Sequence, residues 1–133
     1  MEIRSICEEV IGCKIVKAEY ISDYTNEKEL FYDENDAIRF TFDNGAVLVF
    51  SHKQDCCENV HIAGYDYPVE DMVGEVIHSI EVRSESRDSD YDSETWTFVY
   101  FRTNKGVNVI KWQGTSNGYY SETPDWFYEN EGN

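Results

Sequence analysis

The segment HKQDCCENVH, from His52 to His61, gathers two imidazoles and two thiols in an H-x3-C-C-x3-H spacing, and such donors are the ones zinc prefers. Neighbouring side chains of a strand point to opposite faces, so Cys56 and Cys57 could share an ion only where the backbone turns. Structural zinc sites also usually leave two or more residues between paired thiols. The same cysteines admit two other readings: a nucleophile served by His52, His61 or His78, and small buried hydrophobes, the usual state of free cysteine. No nucleophile-elbow glycine pattern accompanies them and no dedicated orienting carboxylate stands out. The reading is therefore no metal site and no catalytic residue. The acidic run Glu85, Asp88, Asp90, Asp92, Glu94 resembles a calcium loop, but the sixth and twelfth positions counted from Asp88 are Ser93 and Val99, where an EF-hand needs Gly and Glu.

A binding chemistry is easier to read. The stretch KWQGTSNGYYSE, from Lys111 to Glu122, brings together Lys111, Trp112, Asn117, Tyr119, Tyr120 and two glycines. Aromatic faces stack on bases, and glycines let backbone amides approach a phosphate. With Arg39 and Arg102 supplying cations from two hairpins, these seven residues form the expected ligand site, for a nucleotide-derived small molecule. P-loop, GxGxxG and HExxH patterns are absent from the sequence.

The elements that must hold these residues read mostly as strands. AIRFTF and AVLVF flank Asp43-Asn44-Gly45, a strong hairpin signal. TWTFVYFRT and GVNVIKW flank Asn104-Lys105-Gly106 in the same way. Two short helices are expected, ICEEVIG after Ser5 and VEDMVG after Pro68, each with acids at its start and a glycine stop. KIVKAEYIS, NVHIAGYD and EVIHSIEVR read as strands, residues 84–94 as a polar loop, and residues 123–133 as a docking tail. The expected fold class is α+β, mostly antiparallel β with two short helices, in a single domain over residues 1–133. Trp96, Phe98 and Tyr100 alternate with Val99 and Phe101, so both faces of that strand are apolar, and a homo-oligomer is expected.

The halves echo each other. Shifted by 62 residues, Glu8, Gly12, Ile15 and Glu19 fall on Glu70, Gly74, Ile77 and Glu81. The turn glycines Gly45 and Gly106 lie 61 apart. Residues 5–60 and 67–122 thus read as copies of a helix, strand and hairpin unit arranged about a pseudo-twofold axis, with HKQDCCEN and QGTSNGYYSE in corresponding places.

The chain has 133 residues, 11 basic and 27 acidic, and a formal net charge of −16. Such a balance argues against direct nucleic-acid binding, which needs local cations to displace counterions, and against an anionic membrane surface. No apolar run approaches the length of a spanning helix and no signal peptide opens the chain. A cytoplasmic protein with four reduced thiols, Cys7, Cys13, Cys56 and Cys57, is expected, Cys56 and Cys57 being poorly placed to bridge each other.

The segments SHKQDCCENV, DMVGEVI, ETWTFVYFRTNKGVNVIKW and SNGYYSE resemble a family of small uncharacterised proteins of bacteriophages and prophages, over residues 5–122. That resemblance implies an accessory phage protein that counters a host defence in the bacterial cytosol; it carries no site residue with it. Two mechanisms follow. One is a non-enzymatic sponge that sequesters a nucleotide-derived immune signal. The other is an acidic nucleic-acid mimic that blocks a basic host defence protein of anti-CRISPR or anti-restriction type. A third reading, cleavage of the signal, would need a catalytic group.

Overall fold

A computed structural model describes residues 3–88 and 92–129. The backbone forms nine strands: β1 (Arg4–Ile6), β2 (Ile15–Asn26), β3 (Phe31–Phe42), β4 (Val47–Ser51), β5 (Asn59–Tyr65), β6 (Ile77–Asp88), β7 (Ser93–Thr103), β8 (Gly106–Ser116) and β9 (Asp125–Tyr128). They make two antiparallel sheets, ordered β1-β6-β7-β8-β5 and β2-β3-β4-β9. This corrects the α+β expectation. The two segments read as helices are single 3-10 turns, Glu8–Val10 and Val69–Met72. Each is too short to propagate, and its glycine stop, Gly12 or Gly74, sits at positive φ and turns the chain into a strand. Within the polar stretch 84–94, residues 84–88 belong to β6 and 93–94 to β7; of the polar segment DYTNEKE, which the sequence marks as a loop, residues 23–26 end β2 and Glu27–Glu29 form a 3-10 turn. Asp90 lies outside the described residues.

The sheets pack face to face. Ile80, Val82, Val99, Phe101, Ile110 and Trp112 from one meet Ala18, Ile38, Phe40, Phe42, Leu48 and Phe50 from the other in one buried cluster. Phe101 is its centre, 5.1 Å from Phe40 and 5.4 Å from Phe50 between ring centroids. A smaller cluster, Tyr24, Phe31, Ala37 and Val49, covers the outer face of the second sheet. That second layer is why β4, VLVFS, is buried at every position. Trp96, Phe98 and Tyr100 face outward from β7, half-buried, with the Arg83 guanidinium 4.8 Å from the Phe98 centroid and Arg102 5.8 Å from that of Tyr100. Among the described residues no helix is long and apolar enough to cross a membrane.

The repeat seen in the sequence has a counterpart in the backbone. Lys14 bridges Val76. Around that bridge the Gly12 amide donates to the Ile77 carbonyl at 2.7 Å and the Gly74 amide to that of Ile15 at 2.8 Å, while Ile15 donates to Glu75 and Ile77 to Cys13. Asp43 and Asn104, from the two hairpin turns, cap it alike: the side chain of each accepts from the amide of Lys14 or Val76. Each amide in turn donates to the carbonyl of the residue its side chain caps. β2-β3-β4 and β6-β7-β8 are the equivalent triplets. After each, the chain crosses to the other sheet and adds a strand there, β5 beside β8 and β9 beside β4.

The second crossover folds back on β8 so closely that a Cβ at Gly114 would overlap the backbone of Glu122. Gly114→Ala should therefore destabilise the fold by about 3 kcal/mol or more, beyond ordinary overpacking, because backbone cannot swing aside. Urea unfolding measures it, with an unchanged midpoint as the contrary result.

Candidate functional site

The seven residues expected to form one ligand site are dispersed. Trp112 is 1% exposed and belongs to the core, since alternation along β8 turns it inward and its neighbour Lys111 outward. Arg39 lies on the outer face of the other sheet, forked onto both carboxylate oxygens of Glu19 and paired with Glu129. Arg102 pairs with Glu81 at 2.5 Å. Only Asn117, Tyr119 and Tyr120 stay together, in the turn after β8, where the Asn117 side chain accepts from the Tyr119 amide and Tyr119 is 86% exposed. The cluster looked like a pocket because a linear stretch was read without the alternation that divides it.

The His/Cys segment is also built differently from a metal centre. His52 is buried at the end of β4, its Nδ1 2.9 Å from the Thr123 carbonyl and its Nε2 2.8 Å from Glu58, so both nitrogens are occupied. His61 lies on β5 opposite Gln113. Contrary to the expected reduced pair, Cys56 and Cys57 are joined as a disulfide, because the chain bends there instead of running extended. Cys7 and Cys13 are free, and burial, with Glu9 nearby, pushes the Cys7 thiol up to about 12. Among the described residues no cluster of three His, Cys, Asp or Glu side chains is arranged to hold a metal.

Glu58 is the hub of this crossover. It accepts from the Asp55 and Cys56 amides, at 2.8 and 2.9 Å, and from His52. Burial works to raise its pKa, but the Cys56 amide, His52 and the Asp55 amide together hold it at about 2. Glu122 plays the same part in the other crossover, bonded to Ser116, Thr95 and Ser93. In both loops a buried carboxylate reaches back to a buried polar residue six positions earlier, His52 or Ser116. These groups have every bond they need inside the fold, which makes them structural.

The open feature lies elsewhere, between the edge strands β2 and β5. A cleft of about 280 Å³ is floored by Ile38, Ile62 and Val69 and walled by Tyr20, Tyr65 and Glu70. Tyr20 and Tyr65 are 48% and 55% exposed, large rings left in water beside an apolar floor. Asp36 fixes the wall, accepting from the Tyr20 hydroxyl at 3.0 Å and the Ile62 amide at 2.9 Å. Burial first, then the bond to Asp36, raises the Tyr20 pKa, so this phenol stays protonated and donating. Glu70 accepts from the Tyr20 amide at 2.9 Å. Glu70 is the acidic residue of the cleft lining, and Asp36 stands behind the Tyr20 hydroxyl. Sequence reading missed this cleft, though Gly64 inside a strand was a signal for the bulge that shapes β5.

Residues 8–126 match a family described as a domain of unknown function, DUF7448. The chain belongs to that family. No curated protein and no solved structure matches it. Within this DUF7448 domain the cleft between β2 and β5 is an open apolar feature with Glu70 in its wall, whereas the two crossovers are internal bracing.

Because the Glu58 pKa is depressed in the folded state from its ordinary 4.5 to about 2, its stabilisation is complete above about 4.5 and is lost as pH falls through that window. Glu58→Gln should cost about 2–3 kcal/mol at neutral pH, and the gap from wild type should close on acidification. Denaturant titrations across that range check both.

Proposed function

We propose that this protein acts by binding rather than catalysis, and that its partner is a basic protein: a counter-defence protein in the bacterial cytosol that occupies the nucleic-acid-binding surface of a host defence protein. The observation that carries this reading is the charge. Even if each of the 11 basic side chains neutralised one acid, the charge of 16 of the 27 acids would remain uncompensated. Lys17, Arg39, Arg83 and Arg102 spend their charge on Glu19, Glu129, Glu85 and Glu81, and the charge beside the cleft is that of Glu70 and Asp36. A field of this sign steers a basic partner and repels a phosphate-bearing one.

A second reading is favoured by one observation, the pair of half-exposed tyrosines. A cleft of about 280 Å³ suits a single ring system better than a whole dinucleotide, and a base stacked between Tyr20 and Tyr65 would keep the sequestration mechanism on a different site from the one first expected. The acids around it disfavour the phosphates of such a ligand, so this reading ranks second.

The test is association with purified restriction and CRISPR effector proteins at low and high salt. Binding should weaken steeply with salt, and the triple variant Asp33→Asn, Glu34→Gln, Glu70→Gln should slow association about tenfold. Salt-independent binding, or none, sinks the reading. A nucleotide panel retained by wild type and released by Tyr65→Ala would replace it with sequestration.

A further inference from the structure

Twice on the outer face of the five-stranded sheet the chain builds the same group of three: an aromatic ring, a glutamate and the guanidinium of an arginine. Arg83 lies 4.8 Å from the Phe98 centroid and pairs with Glu85, and Arg102 lies 5.8 Å from that of Tyr100 and pairs with Glu81. Arg4 takes the ring of Trp126 at 5.4 Å. The cleft between β2 and β5 has the first two members without the third. Tyr20 and Tyr65 are its half-exposed rings, and Glu70 is its carboxylate. None of its lining residues is basic. Lys111, whose stem runs past Gly64, stands on the outward face of β8 and is not among them.

The two carboxylates beside the cleft are not equally available. Asp36 spends one oxygen on the Tyr20 hydroxyl and the other on the Ile62 amide. Glu70, exposed on the turn Val69–Met72, gives one oxygen to the Tyr20 amide, and among the described residues its other oxygen has no hydrogen-bond partner. That bond holds the carboxylate in the wall, beside the apolar floor of Ile38, Ile62 and Val69. An aliphatic stem suits such a floor, and a cation at its end suits the ring faces and the charge. At about 280 Å³ the cleft falls below the roughly 300–1,000 Å³ of pockets for drug-sized ligands, and it matches one long side chain. Arginine meets these demands better than lysine, because an ammonium is strongly hydrated whereas a planar guanidinium stacks on rings and forks onto a carboxylate. Resting on the reading that the partner is a basic protein, we infer that this cleft receives one arginine side chain of that partner, its stem on the apolar floor and its guanidinium on the tyrosine rings and against Glu70. Such a side chain is an anchor, and it governs how long a complex lasts more than how fast it forms.

The probe is N-acetyl-arginine methylamide, titrated into the isotope-labelled intact protein and followed by NMR. Saturable shifts are expected at Tyr20, Ile62, Gly64 and Tyr65. The citrulline analogue, neutral and of the same shape, should bind about tenfold more weakly, and the lysine analogue several-fold more weakly. Glu70→Gln, which keeps an acceptor for the Tyr20 amide, and Tyr65→Ala, at an exposed position, should each weaken binding about tenfold, with unmoved core resonances showing that the fold is kept. In a complex with a basic effector protein, Tyr65→Ala should speed dissociation about tenfold and leave the association rate unchanged. No shifts at the cleft, or equal binding by the citrulline analogue, overturns the inference. Equal binding by the lysine analogue overturns it too, since the net charge alone attracts any cation. If the arginine compound fails while whole basic proteins still bind in a salt-dependent way, the partner reading stands without this anchor; if it binds and no basic protein does, that reading falls and the guanidinium site remains.

Discussion

The architecture depends on one short antiparallel exchange, the four backbone bonds around the Lys14–Val76 bridge. It lies where the two sheets' ladders begin, at Ile15 and Ile77, and it ties the first strand of each triplet to the other. A sandwich held only by apolar contact can slide, since burial is proportional to area and indifferent to register. Directional bonds between β2 and β6 at their starts remove that freedom. The left-handed glycines belong to the same device: at positive φ, Gly12 and Gly74 aim their amides across the gap, a conformation that an L residue reaches only at a cost.

Once that junction is fixed, the crossovers follow. Each hairpin delivers its chain to the far end of the sandwich, and each loop must return a strand to the opposite sheet through a polar, partly buried turn. Both loops meet the resulting loose amides and hydroxyls with one buried glutamate, Glu58 gathering Asp55, Cys56 and His52, Glu122 gathering Ser116, Thr95 and Ser93. The chemistry of the partners differs while the spacing is kept, which is what a geometric constraint leaves behind when the local sequence is free to vary.

How far the sequence discloses this depends on the range of each signal. Both hairpin turns were legible, because Asp43-Asn44-Gly45 and Asn104-Lys105-Gly106 encode their conformation locally. The echo of Gly12 and Ile15 in Gly74 and Ile77 was legible for the same reason. The helices were misread because acids followed by a glycine stop mark a single 3-10 turn as well as a helix, and length alone separates them. Trp112 was misassigned because its inward direction is set by strand register, which a linear segment does not carry. The cleft was out of reach, since Tyr20, Asp36, Tyr65 and Glu70 meet only through the packing of two sheets.

β2, at the edge of its four-stranded sheet, carries a specific liability. An exposed edge invites any extended chain, and proteins usually blunt such edges with bulges and charge. β2 has both: register shifts at either end of its pairing with β3, and Lys17 and Glu19 between them. Its central residues, Ala18 to Tyr20, are nevertheless in regular register, and the carboxylate guarding Tyr20 is a single exposed side chain from a 3-10 turn. A carboxylate satisfies one amide without closing the strand, and it exchanges readily with water. The turn itself packs along β2, anchored by buried Val69 and Met72, so the edge is protected against indiscriminate pairing at its centre as well as at its ends.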